Sequence, residues 1–214
     1  EVQAAGSTLR VPVSVANTTA ARRFSFEDDI TPLLSRFGCN SSGCHGKAEG
    51  QNGFKLSVFG YDPRADYKAL IQESRGRRVF PAAPEHSLLL LKMTGALPHG
   101  GGPRIRAGTP EYQTIRDWIT AGVPFGDASD PKIERIELTP RERVLPLRSR
   151  QALRVVATYT NGRQVDVTHL AQFQSNNEGL ARVDDDGWVS IGDVPGQAAV
   201  MARFMGSVAV FQAL

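Results

Sequence analysis

The stretch "SRFGCNSSGCHGKAEG" (35–50) holds both cysteines of the chain, Cys39 and Cys44, and a histidine, His45, directly after the second. Two thiols and an imidazole on one loop of Asn, Ser and Gly suit three kinds of chemistry. They can carry a c-type haem, with two thioether bonds from the cysteines and the following histidine as an axial ligand of the iron. The usual spacing is C-x-x-C-H. Here Asn40, Ser41, Ser42 and Gly43 lie between the thiols, so the loop must bulge, which small turn-forming residues allow. The thiols can instead close a small-loop disulfide of an exported protein. They can also ligate zinc with His45 and one more histidine, although zinc sites usually use a shorter cysteine spacing and a second cluster.

A six-coordinate haem needs Met or His on its other face. His86, Met93 and His99 are the candidates. His86 falls just inside a predicted helix start, an ordinary place for a solvated residue. Met93 closes the apolar run "SLLLLKM" (87–93), a core-filling position. His99 is followed by three glycines, which let backbone approach a flat ring closely. Haem propionates call for cationic partners. Arg77 and Arg78 are candidates, and they equally fit a solvated helix end. Arg104 and Arg106, near His99, are further candidates. Phe54, Leu56 and Phe59 can wall a pocket, and Tyr112 and Trp118 can pack in the core or against a ring edge. His169 reads as a surface or strand-end residue.

The elements that must position these residues divide the chain near residue 126. Before it the pattern is helical and glycine-rich. Phe26, Ile30, Leu33, Leu34 and Phe37 share one helical face, with Pro32 placing the regular start close to itself. Asp62-Pro63 and Thr109-Pro110 are helix start signals, the first opening a helix expected to run to Gly76. The run 87–93 predicts a further helix. After residue 133 the pattern alternates with period two, with Asn161-Gly162, Asp186-Gly187 and Gly206 as turns, the first expected to be a tight turn with positive φ angles. The expected fold class is multidomain: a mainly α domain followed by an all-β sandwich. The expected divisions are an extension over 1–23, a helical domain over 24–126, a linker over 127–132 and a sandwich over 133–214.

Several separate blocks then agree in order. "FEDDITPLLSRFGCNSSGCHG", "GFKLSVFGYDPRADY", "GRRVFPAAPEHSLLLLK" and "LPHGGGPRI" with "EYQTIRDWITAGVP" resemble the planctomycete-type cytochrome c domain over about residues 24–126. "IELTP", "LRVVATYTNGRQVDVT" and "VDDDGWVSI" resemble the bacterial immunoglobulin-like group 2 domain. The first resemblance implies one covalent haem c, attached at Cys39 and Cys44, with His45 as proximal ligand. It implies His99 as distal ligand, because Pro98-His99-Gly100 stands where related domains carry theirs, and Met93 is the alternative. Together they imply a mainly α cytochrome c-like domain followed by an immunoglobulin-like sandwich. In whole proteins of this kind the pair precedes further domains.

The expected function is single-electron transfer at a six-coordinate, bis-His haem, with a redox partner protein or downstream domains of a longer chain as partner. Two other classes stay open: a haem-based enzyme or gas sensor with a displaceable distal ligand, and a binding module whose immunoglobulin-like part engages a polymer or partner. Haem attachment to cysteine implies a periplasmic or otherwise exported protein. The 25 Lys and Arg against 22 Asp and Glu form no basic run, which argues against nucleic acid. No stretch approaches the roughly 20 apolar residues of a membrane helix. The N-terminal "EVQAAGSTLR" lacks the basic and apolar regions of a signal peptide. The closing "SVAVFQAL" reads as a strand cut at its end, as in a fragment of a longer protein.

Overall fold

The computed structural model describes residues 2–4, 7–9, 12, 14 and 22–214. Most of the expected 1–23 extension lies outside these. Within it β1 (Val2–Ala4) and β2 (Ser7–Leu9) pair antiparallel.

Pro32 shapes the entry to the first half. A proline cannot donate an N–H and its ring crowds the preceding turn. The chain therefore makes one wide π turn over Phe26–Ile30, with the Thr31 N–H donating to Phe26 O, before α1 (Thr31–Arg36) begins. Ser25 caps the wide turn by accepting from the Asp28 N–H at 3.2 Å. Asp62 caps α2 (Pro63–Ile71) by accepting from the Ala65 N–H at 3.0 Å. The helix stops at Ile71, short of the expected Gly76, because Ser74 and Arg75 take φ of +52° and +61° and break the helical path. α3 (Leu88–Met93) follows a short 3-10 turn, and α4 (Pro110–Thr120) opens under the Thr109 hydroxyl and stops before Gly122 at φ +85°. Phe26, Ile30, Leu34, Leu56, Leu70, Leu90, Ile115, Trp118 and Ile119 form the centre of this half's core.

The second half contains β3 (Ile133–Thr139), β4 (Glu142–Arg143), β5 (Arg150–Ala152), β6 (Arg154–Tyr159), β7 (Gln164–Asp166), β8 (Gln172–Ser175), β9 (Ala181–Val183), β10 (Trp188–Ile191), β11 (Ala198–Phe204) and β12 (Ser207–Ala213). They form three sheets in the orders β3-β6-β7, β5-β10-β9 and β4-β12-β11-β8. All pairs are antiparallel except β12 with β4. Val155, Ala157, Val167, Val189, Val200, Ala202 and Phe211 face one shared core.

The expected fold class needs correcting. The first half is not mainly α and not a cytochrome-like helical domain. Its four α-helices have only 6, 9, 6 and 11 residues, joined by turns and short 3-10 pieces. Proline starts and glycine stops at close intervals prevent longer helices. The strands form three sheets, not the two of the expected immunoglobulin-like sandwich. Backbone breaks are the cause: Pro140 splits β3 from β4, since proline cannot continue a ladder. Leu153, between β5 and β6, turns its N–H to Gly187 O at 2.9 Å, so one extended run serves two sheets. The β6–β7 turn also differs from the expectation. Of the residues 160–163 between the strands only Gly162 takes positive φ, at +80°, and the Gly162 N–H returns to Tyr159 O at 2.8 Å. The two-residue turn with both φ positive occurs instead at Met205-Gly206, at +48° and +81°.

The halves touch at the end of α1. The Arg36 side chain donates to His169 O at 3.1 Å and to Asp185 O at 2.8 Å, and pairs with the Asp185 carboxylate at 3.1 Å. Gln172 Nε2 donates to Ser35 O at 2.5 Å. Arg203 lies 3.8 Å over the Phe59 ring.

Candidate haem-attachment site

α1 delivers Cys39 through its C-cap. Gly38 takes φ +69°, its N–H donates to Ser35 O at 2.9 Å, and the Cys39 N–H donates to Leu34 O at 2.8 Å. These are the two bonds of a Schellman motif, with glycine in its left-handed position. The next residues coil tightly. The Cys44 and Gly46 N–H groups both donate to Ser41 O, at 3.0 and 2.9 Å, and the His45 N–H donates to Cys39 O at 3.0 Å. Gly46 is required here: a Cβ on it would fall 2.2 Å from Asn40 O. The bulge of four residues is thus folded back on itself, which brings His45 beside Cys39.

His45 is half-buried and its Nδ1 lies 3.0 Å from Phe54 O. A carbonyl oxygen only accepts, so Nδ1 carries the hydrogen and the Nε2 lone pair is left for a ligand. His99 repeats this arrangement, with Nδ1 3.0 Å from Gly102 O. The two imidazole rings have centres 6.2 Å apart and planes 11° from parallel. Burial holds the His45 pKa below its ordinary value, the Phe54 hydrogen bond acts against this, and the charges of His99 and Arg78 add to the fall. Both conditions keep the imidazole neutral, as a metal ligand must be. Cys39 is 9% exposed and burial pushes its thiol up to about 11, with Arg104 opposing. Both cysteines are free thiols.

A cleft of about 370 Å³ opens between Cys39, His45 and His99, and Cys44 lies outside its lining. Leu34, Leu70, Leu89, Phe54 and Met93 make its apolar walls, His45 and His99 line it, and Gln51, Asn52, Arg77 and Lys92 add polar groups. The expected residues sort unevenly around it. Cys39, His45, His99, Phe54, Arg77, Arg78 and Met93 all line the cleft. Arg77 is exposed and free of carboxylates among the ion pairs of the described residues. Arg78 is 4% exposed and its donors are taken by Ala69 O, Glu73 O, Gly53 O and Ser74 Oγ. It acts as a brace, with its guanidinium 4.5 Å over the Phe54 ring, which in turn lies 4.6 Å from the His45 ring. Trp118 is not at the cleft. It is fully buried and donates from Nε1 to Pro124 O at 2.9 Å. Leu56 is core, Phe59 lies under Arg203, and His86 and His169 are exposed on the surface. Sequence reasoning did not mark Leu34, Leu70, Leu89 or Lys92 as cleft residues. The one signal was helical: Leu34 shares an apolar helical face and Leu89 lies in the predicted helix run 87–93, while Leu70 was not singled out.

These residues fit a haem. Two imidazoles on opposite faces of one metal put their ring centres about 6 Å apart, from about 2 Å of metal–nitrogen bond plus about 1 Å to the ring centre on each side. The donor set, the flat separation and the apolar walls agree with that. A zinc site has less support: among the described residues no group of three or more His, Cys, Asp or Glu could hold a metal ion. No helix among them is long and apolar enough to cross a membrane. No family model matches the chain, and no curated protein matches it.

Proposed function

We propose that this protein carries one c-type haem, attached by thioethers at Cys39 and Cys44 and held between His45 and His99, and that it passes single electrons. The observation that carries the reading is the histidine pair: near-parallel rings at 6.2 Å, each with Nδ1 committed to a carbonyl. When bound, the haem supplies a one-electron couple at its iron. The chain's residues do the rest. Phe54 O and Gly102 O set the orientation of the two imidazoles and leave Nε2 for the metal. Leu34, Leu70, Leu89 and Phe54 exclude water from the cleft. Arg77 and Lys92, which border the cleft, would offer the propionates charge-assisted hydrogen bonds.

A haem held by both His45 and His99 would have no open position for substrate, which favours electron transfer over catalysis. Bis-His ligation gives a lower potential than His/Met. The resemblance of residues 24–126 to planctomycete-type cytochrome c sequences supports the reading. Covalent attachment places the protein outside the cytoplasmic membrane, with a redox partner protein or further domains of a longer chain as electron partners.

The test is an optical spectrum of protein made with haem-maturation machinery, oxidised and reduced, before and after acid-acetone extraction. Haem that survives extraction, in a low-spin spectrum without the far-red band of Met ligation, is the expected result. That band would move the distal ligand to Met93. A high-spin spectrum would favour an enzyme or gas sensor. Complete loss of haem on extraction would overturn the attachment.

A further inference from the structure

Arg104 lies outside the cleft lining, between the two loops that carry the proposed attachment and distal residues. Its Nη2 is 3.8 Å from Cys44 Sγ. The same guanidinium packs on the His99 loop: the position a Cβ would take on Gly101 is 3.1 Å from Arg104 Nη2 and 3.3 Å from His99 Cε1. The backbone fixes this placement. The Arg104 and Ile105 N–H groups both donate to Met93 O, at 2.6 and 3.1 Å, closing the neck of the loop that presents His99. The guanidinium is half-buried, and no ion pair among the described residues uses it.

We propose that Arg104 sets the reduction potential of the site, by holding an uncompensated positive charge beside the Cys44 attachment point and against the His99 loop. The proposal rests on the haem reading above. The oxidised iron carries one more positive charge than the reduced iron. A fixed cation beside it opposes the oxidised form more, and a half-buried one is screened less than a charge in open water. A one-electron donor protein would supply the electron that balances the couple. Arg104 thus offsets part of the low potential that bis-His ligation brings.

The experiment is potentiometric titration of the full chain, matured with haem, as wild type and as Arg104→Gln, Arg104→Met and Arg104→Lys. Gln and Met should lower the midpoint potential, Lys should hold it near the wild type, and all should keep the wild-type low-spin spectrum. Gln and Met potentials equal to the wild type would overturn the proposal. A Lys potential as low as that of Gln would also overturn it, by showing that the planar fork matters and the charge does not. A changed spin state in the variants would assign Arg104 a purely structural role. If the wild type retains acid-acetone-stable haem, these outcomes judge Arg104 alone. If it does not, the haem reading fails first and this proposal falls with it.

Discussion

At the scale of single residues, the cysteine loop depends on atoms that motif reading does not see. Gly46 and Gly43 both sit in the loop, yet only Gly46 is hemmed in, with Asn40 O 2.2 Å and Ser41 O 2.8 Å from where a Cβ would be. Gly43 has nothing within 4 Å. Gly46→Ala should therefore lower stability by upwards of about 2 kcal/mol, because backbone must move, while Gly43→Ala should change it by less than about 0.5 kcal/mol. Urea unfolding of the two variants, matched for haem content, checks this, and equal midpoints would contradict the loop geometry. Cys39, His45 and His99, which line one cleft, could be singled out in the sequence because thiols next to an imidazole, and a histidine before three glycines, are distinctive. The supporting residues were not. Arg78 reads as a surface cation, yet it is buried because backbone carbonyls from three segments converge on it. That convergence is tertiary and leaves no local trace.

At the scale of elements, starts were easier to read than stops. Asp62-Pro63 and Thr109-Pro110 open helices because a cap oxygen and a proline act on the adjacent turn alone. Asp62→Ala should cost about 1 kcal/mol by removing the bond to the Ala65 N–H, readable as a shifted unfolding midpoint. The end of α2 was misread because Ser74 and Arg75, which are not glycines, adopt positive φ there. The β6–β7 hairpin carries a pH-dependent element. The Thr168 hydroxyl, first, and then Arg154 and the Thr168 N–H hold the Asp166 carboxyl down at about 2. Its folded pKa lies below the unfolded value of about 3.9, so its stabilisation is present above about pH 4 and is lost as pH falls toward about 2. The stability gap between wild type and Asp166→Asn should be constant above that range and close within it. A gap that persists to pH 2 would show that the carboxylate's charge plays no part.

At the scale of the whole molecule, the assignment of strands to sheets was beyond sequence reading, because period-two alternation is the same in every sheet and the switch at Leu153 is made by one backbone N–H. The docking of the halves was equally hidden. Its contacts join residues more than 100 positions apart, and Arg36 looks like any helix-terminal cation. In the structure its side chain is 13% exposed and its donors reach His169 O and Asp185 O. Gln172 adds a bond to Ser35 O. Ser35 Oγ in turn accepts from Asn40 Nδ2 at 2.8 Å, so the β half braces the helix end from which Cys39 and its loop emerge. The exposed Asp185 carboxylate adds little, since solvent screens it. The loss in Arg36→Ala should come from the two carbonyl bonds and amount to about 1.5 kcal/mol. Asp185→Ala leaves both carbonyls in place and should cost a fraction of that. Urea unfolding of both variants decides between the contributions. Equal losses would put the Arg36 contribution in the ion pair, and no loss from either would mean that Arg36 adds nothing and that other contacts, the Gln172 bond to Ser35 O among them, hold the halves. A loss confined to Arg36→Ala would place that contribution in the hydrogen bonds that join the β half to the helix presenting the cysteine loop.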